Sequence, residues 1–255
     1  MLKPNQIAET YLSVGEAKVK QSILKTFLLA IMAGAFIAFA GVGATFGNVY
    51  ANKVVGAAIF PGGLAMVILA GSELFTGNCL LIMPLLQGRI KGTDLIKNLA
   101  IVYLGNLVGA VLVSAITVFS GAFDAISQTV IATATAKATL QFFPAFLKGV
   151  ACNVLVCLAV WMGFSAETAG GKILAIFFPI LIFVVAGFEH SVANMFYLPA
   201  GFFSVLKTGA NAGSLTLLNA LLNNLLPVTL GNIVGGMAIG AVYKVIYLPK
   251  ANQEK

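Results

Sequence analysis

Two short stretches place a carboxylate and an amide inside apolar sequence. Glu73-Leu-Phe-Thr-Gly-Asn78 lies near the middle of one hydrophobic segment, and Glu189-His190-Ser-Val-Ala-Asn194 occupies the corresponding place in the second half. Both read Glu-x4-Asn, and the second contains the only histidine of the chain. Ionisable groups at membrane depth are costly and usually face a bundle interior, a cavity or a substrate path. A pair of them in matching halves points to broken helices around a transport route.

The chain is 60% hydrophobic and 9% charged over 255 residues, with a mean hydropathy of +1.00. Soluble domains carry about 25% charged residues, so residues 1–255 read as a single integral membrane domain. The first 20 residues hold Lys3, Glu9, Glu16, Lys18 and Lys20 without an apolar core, so no cleavable signal peptide is expected. The net charge of +7 is no sign of nucleic acid, because the basic residues mark topology. Lys3, Lys18, Lys20 and Lys25 precede the first span. Arg89, Lys91 and Lys97 lie between the second and third, Lys172 between the fourth and fifth, and Lys244, Lys250 and Lys255 follow the last. With six spans these fall on one side, predicted to be cytoplasmic together with both termini. Lys53, Lys137 and Lys207 fall on the other side, and Lys148 lies within a span.

A spanning helix needs about 20 apolar residues. Spans are expected near 26–47, 54–87, 99–121, 139–164, 173–204 and 216–247, after a short amphipathic helix over 4–20. Ile7, Tyr11 and Val14 share one face of that first helix, which either meets anionic lipid through Lys18 and Lys20 or packs on the protein. The second and fifth spans are too long for simple crossings. Phe60-Pro-Gly-Gly63 and Thr76-Gly-Asn78 are expected to interrupt the second, and the stretch from Glu189 to Pro199-Ala-Gly201 the fifth. Residues 202–224, polar and Asn-rich, read as an extracytoplasmic loop before the last span. Gly105-Asn-Leu-Val-Gly109 in the third span recurs as Gly231-Asn-Ile-Val-Gly235 in the sixth, each a Gly-x3-Gly face suited to close helix approach. Three spans per half, 26–121 and 139–247, make the halves inverted repeats.

His190 is expected to act as a hydrogen-bond donor or proton exchanger at the pore centre. Glu73 and Glu189 are expected to hold the broken helices by accepting backbone N–H bonds. Lys148 lies about ten residues into its predicted span, roughly 15 Å at 1.5 Å per residue, where a cation facing a vestibule attracts anions and one facing a neighbour is a packing residue. Asn153 is within reach of the His190 ring or of a neighbouring helix. Phe60, Leu64 and Phe183, near the breaks, could form hydrophobic constrictions. Cys79, Cys152 and Cys157 read as small buried apolar side chains. One histidine offers no bis-His haem site or metal cluster, so no cofactor or metal is expected. Neither a Gly-x-Ser-x-Gly elbow nor a Walker A loop occurs, and no enzyme activity is expected. The alternative of another class, a membrane anchor for a redox enzyme, lacks cofactor ligands.

Glu73-Leu-Phe-Thr-Gly-Asn78, Cys152-Asn153-Val-Leu-Val-Cys-Leu-Ala-Val-Trp161-Met and Gly187-Phe-Glu-His-Ser-Val-Ala-Asn-Met-Phe196 occur in this order across both halves. In these stretches the chain resembles the formate/nitrite transporter family. The resemblance implies an aquaporin-like all-α protomer in a homopentamer of the inner or plasma membrane. Each protomer would have its own pore for small monovalent anions or their acids. It further implies Thr76 and His190 as the central polar pair, with Asn153 supporting the histidine. Glu73, Asn78, Glu189 and Asn194 lie in the two matching motifs. Phe60, Leu64 and Phe183 match the apolar constrictions, and Lys137 a basic residue at the pore mouth near the start of span four. Formate-type members typically carry an apolar residue where this chain has Lys148. The lysine looks like the hydrosulfide-channel branch, which makes hydrosulfide the leading expected cargo, with formate or nitrite as the alternative.

Overall fold

The computed structural model describes residues 1–248, so Lys250 and Lys255, placed by the sequence after the last span, lie outside the described residues. The chain is helical throughout, with no strand among the described residues. Helix α1 (Pro4–Lys20) is followed by α2 (Ile23–Tyr50), α3 (Lys53–Ile59), α4 (Pro61–Ala70), α5 (Phe75–Asn78), a 3-10 turn over Cys79–Leu81, α6 (Ile82–Leu86) and α7 (Gly92–Phe119). The second half contains α8 (Ser127–Ala138), α9 (Phe142–Ser165), α10 (Ala169–Ala186), α11 (Ser191–Thr208), α12 (Leu217–Asn219), a π-helical stretch over Ala220–Leu225 and α13 (Leu226–Tyr247). Six helical segments are long and apolar enough to cross a bilayer, in the order expected. Large apolar side chains stand exposed along them, among them Phe39, Leu104, Ile116, Phe178 and Val245. A soluble monomer rarely exposes such a surface.

The halves run in opposite directions. The start of α2 adjoins α1, whereas α9 ends beside the amino terminus, where Leu2 N–H donates to the Ser165 carbonyl at 3.0 Å. The amino-terminal ammonium also pairs with Glu167 at 2.8 Å, and Arg89 with Glu16 at 3.3 Å. Helix α1, the α6–α7 link and the α9–α10 link therefore share one face of the molecule.

The Gly-x3-Gly faces pack inside the protomer, α7 on α2 and α13 on α9. A Cβ at Gly109 would overlap the Ile31 carbonyl, and one at Gly235 the Val150 carbonyl. Both faces are thus used within one chain.

Several boundaries differ from expectation. Phe60 keeps helical torsions (φ −58°, ψ −35°), so Pro61-Gly-Gly63 bends the second span without unwinding it. Pro suits the first position of a helix, which explains the tolerance. The true interruption is residues 71–74, and Thr76-Gly-Asn78 is helical. In the second half the interruption is residues 187–190, and Pro199-Ala-Gly201 lies inside α11. Most of 202–224 is helical too, leaving residues 209–216 as the connection. Lys137 lies in the separate helix α8, before span four begins. Helix α1 packs on the protein, with Ile7, Ala8 and Tyr11 buried.

Candidate functional site

Both interruptions start in the same way. Gly71 (φ +75°) and Gly187 (φ +71°) end their helices in the left-handed region, which glycine adopts without the strain a Cβ brings. A Cβ at either would touch nothing, so the requirement is conformational. Each break leaves helix-end backbone groups at membrane depth, where water cannot satisfy them. Neighbouring helices do so instead. Glu73 N–H donates to the Leu29 carbonyl at 3.3 Å and Glu189 N–H to the Lys148 carbonyl at 3.3 Å.

Two asparagines complete the repair. Asn106 Oδ1 accepts from Phe75 N–H at 2.9 Å, while its Nδ2 donates to the carbonyls of Ala30 (2.7 Å) and Glu73 (2.9 Å). Asn232 Oδ1 accepts from Ser191 N–H at 2.8 Å, and its Nδ2 donates to the carbonyls of Gly149 (2.8 Å) and Glu189 (3.0 Å). These are the asparagines of the two Gly-Asn-x-Val-Gly motifs. The sequence showed the motif twice, and reading only its glycines missed the amide between them.

The carboxylates do something other than cap the backbone. Glu73 Oε2 accepts from Lys18 Nζ and from Asn78 Nδ2, each at 2.7 Å. Glu189 pairs with Lys137 at 2.9 Å and accepts from Asn194 Nδ2 at 2.7 Å. Asn78 and Asn194 in turn donate to Asn98 and Asn224. An acid in the break is thus neutralised by a lysine from a helix outside the spans, because the backbone donors expected to stabilise it are already taken by asparagines. Lys18 is committed to Glu73 and not to lipid.

The breaks meet at the centre. Thr76 Oγ1 lies 2.9 Å from His190 Nε2, and both residues are buried. His190 is the N-cap of α11, its Nδ1 accepting from Ala193 N–H at 3.1 Å. A ring nitrogen that accepts a backbone N–H carries no proton, which puts the ring proton on Nε2. Nε2–H therefore donates to Thr76, and the threonine hydroxyl has no other acceptor among the described residues. Asn153 does not reach the ring. Its Nδ2 donates to the carbonyls of Thr76 (3.1 Å) and Asn232 (2.7 Å), fixing the threonine's backbone and not the histidine.

Aromatic rings pack against the histidine. Phe183 stacks on the His190 ring (centroids 5.9 Å, interplanar 19°) and Phe60 meets Phe183 edge-on at 5.8 Å. Leu64, Phe60 and Phe183 are 2–3% exposed. On the α1 side Leu64 borders a cavity of about 490 Å³ that reaches Lys18, Glu73 and Asn78. On the other side Phe60, Phe183 and His190 border a cavity of about 180 Å³ that reaches Lys137, Glu189 and Asn194. Lys148 lines neither cavity. Helix α9 starts at Phe142, so Lys148 lies about 9 Å from its end at 1.5 Å per residue, closer than the sequence suggested. Lys148 is half-buried, and its ammonium has no hydrogen-bond or ion-pair partner among the described residues.

Known proteins agree with this architecture. The family model described as formate/nitrite transporter matches residues 5–246. The uncharacterized transporter YrhG of Bacillus subtilis is 37% identical, over 99% of this chain and 96% of its own. The formate channel FocA of Haemophilus influenzae is 40% identical, over 89% of this chain and 87% of its own. Among solved structures, an FNT family ion channel superposes with a TM-score of 0.86 at 32% identity, covering 94% of this chain and 98% of that one. A pentameric formate channel with formate bound gives 0.76 at 36%, covering 89% and 98%. The chain belongs to the formate/nitrite transporter family.

Proposed function

We propose that this protein is a passive channel for small monovalent anions, with formate as its leading cargo. The observation that carries the reading is the buried Thr76–His190 hydrogen bond, held between two cavities by three apolar side chains. A bare anion loses its water at the Leu64, Phe60 and Phe183 constriction, which is costly without compensation. The Thr76 hydroxyl, itself accepting from His190, is free to donate to the passing ion. The hydrogen bonding favours His190 as a donor over His190 as a proton lender, because protonating Nδ1 would take the acceptor away from Ala193 N–H.

Hydrosulfide is the second reading. Its support was Lys148 in a vestibule, and Lys148 lines neither cavity. The matched FocA relative is a formate channel, which favours formate. By analogy with the pentameric neighbour the working unit is a homopentamer with one pore per protomer, in the inner or plasma membrane. The α1 face, with Lys3, Lys18, Lys20, Lys25, Arg89, Lys91, Lys97, Lys172 and Lys244, is assigned to the cytoplasm by the positive-inside rule.

The test is flux into proteoliposomes for formate, nitrite, hydrosulfide, acetate, chloride and glycerol. Formate and other small anions should pass, and Thr76→Val should reduce their flux. Glycerol or cation permeation without anion flux overturns the reading. A hydrosulfide-to-formate ratio that falls in Lys148→Leu would restore hydrosulfide as leading cargo.

A further inference from the structure

The two cavities differ in charge as well as in size. The α1-side cavity is lined by Lys18, Lys25, Lys172 and Glu73. Lys18 is consumed by Glu73. Lys25, exposed at the start of α2, and Lys172, half-buried in the first turn of α10, have no ion-pair partner among the described residues. Two acids of the same face are matched elsewhere, Glu16 with Arg89 and Lys20, and Glu167 with the amino terminus. In the opposite cavity Lys137 and Glu189 are, among the described residues, the only lining residues that carry full charge, and they pair with each other. Among the described residues, one mouth therefore holds two ammonium groups without an ion-pair partner, and the other none.

Resting on the anion-channel reading, we infer that the α1-side vestibule is an anion-accumulation site, built by Lys25 and Lys172, that makes the pore saturate asymmetrically. Its ligand class is any small monovalent anion, bound by field and not by shape. A cation in a cavity walled by low-dielectric protein acts on an ion more strongly than one in bulk water. Even at the dielectric constant of bulk water, two unit charges each about 9 Å from an ion give roughly fivefold enrichment at low salt. A passive pore cannot convert this into one-way transport. With no voltage, detailed balance makes the ratio of maximal flux to half-saturating concentration equal from both sides. The field must therefore lower both quantities together on the α1 side.

The experiment uses full-length protein in proteoliposomes of uniform orientation, with formate added on one side only. At about 10 mM ionic strength, half-saturation should be about fivefold lower from the α1 side. The ratio of maximal flux to half-saturation should be the same in both directions. Raising impermeant salt to about 0.5 M should remove the asymmetry, since the screening length falls from about 30 Å to a few ångströms. Lys25→Gln with Lys172→Gln should remove it at low salt, and Lys25→Arg with Lys172→Arg should keep it. Equal half-saturation from both sides in the wild type overturns the inference while leaving the channel reading intact. So does an asymmetry that survives both the glutamine pair and high salt. Absence of anion flux from either side overturns the channel reading, and this inference with it.

Discussion

The two broken helices resemble each other wherever they are held and differ where they meet. Residues 71–74 and 187–190 share the left-handed glycine, the Glu N–H bond to a neighbouring carbonyl, the three-bond asparagine and the lysine-paired carboxylate. Even the N-caps match in backbone, Leu74 at φ −108°, ψ 124° and His190 at φ −111°, ψ 116°. Yet one cap is a leucine and the other the sole histidine, and the hydroxyl of Thr76 faces a half whose corresponding residue is Val192. The residues that obey the pseudo-twofold hold the chain in place. Those that break it make the polar centre.

The largest effects should fall on the shared scaffold. Asn106→Leu and Asn232→Leu each orphan three buried backbone groups, at about 1–3 kcal/mol per group. Each should cost about 3–9 kcal/mol in detergent thermal-unfolding assays. If one half tolerates the change, the halves are not equivalent in holding the fold. Glu73→Gln and Glu189→Gln come next. They strand Lys18 and Lys137, each 18% exposed, and should cost about 2–3 kcal/mol, less than a fully buried pair because water reaches the lysine. Adding Lys18→Met or Lys137→Met should recover most of that in the same assay, and failure to recover would point to the Asn78 or Asn194 bonds instead.

Flux should then separate the two halves. Thr76→Val should reduce formate flux on the order of tenfold, the equivalent of one hydrogen bond of about 1.4 kcal/mol. Val192→Thr at the related position should change flux less than twofold, near the limit of measurement and about 0.4 kcal/mol. Equal losses from both would erase the distinction between scaffold and site. Gly71→Ala and Gly187→Ala should be mildest for the fold, about 1–2 kcal/mol each from the left-handed backbone alone, and similar in calorimetry because neither Cβ meets a neighbour.

The fold class, the order of spans and the positions of both acidic motifs could be read in the sequence, because hydropathy and internal repetition are properties of the chain itself. The pairing of Thr76 with His190 was reached through the family resemblance, and the structure places the two in contact. What could not be read were relations between segments far apart. Lys18 and Glu73 are joined by folding, as are Lys137 and Glu189, and nothing local marks either pair. Of the two partners open to Asn153 in the sequence, the His190 ring and a neighbouring helix, the structure shows the second, a bond to the Asn232 carbonyl of α13, since helix spacing gives a side chain's face but not its partner. The Pro61-Gly-Gly63 break failed because proline at a helix start is tolerated, and only the glycine ten residues on adopts a positive φ.

One consequence follows from the N-cap bond between His190 Nδ1 and Ala193 N–H. An imidazole relays protons between compartments by loading one nitrogen and unloading the other. Here one of the two is tethered to the first turn of α11, so loading it would require that turn to open. With Nδ1 unprotonated, Nε2–H is the proton of a neutral imidazole, which donates a hydrogen bond but is not released to a weak base such as formate. On this reading the ion crosses with no net proton attached, and the reversal potential in formate gradients should track the anion and stay indifferent to a pH gradient imposed beside it.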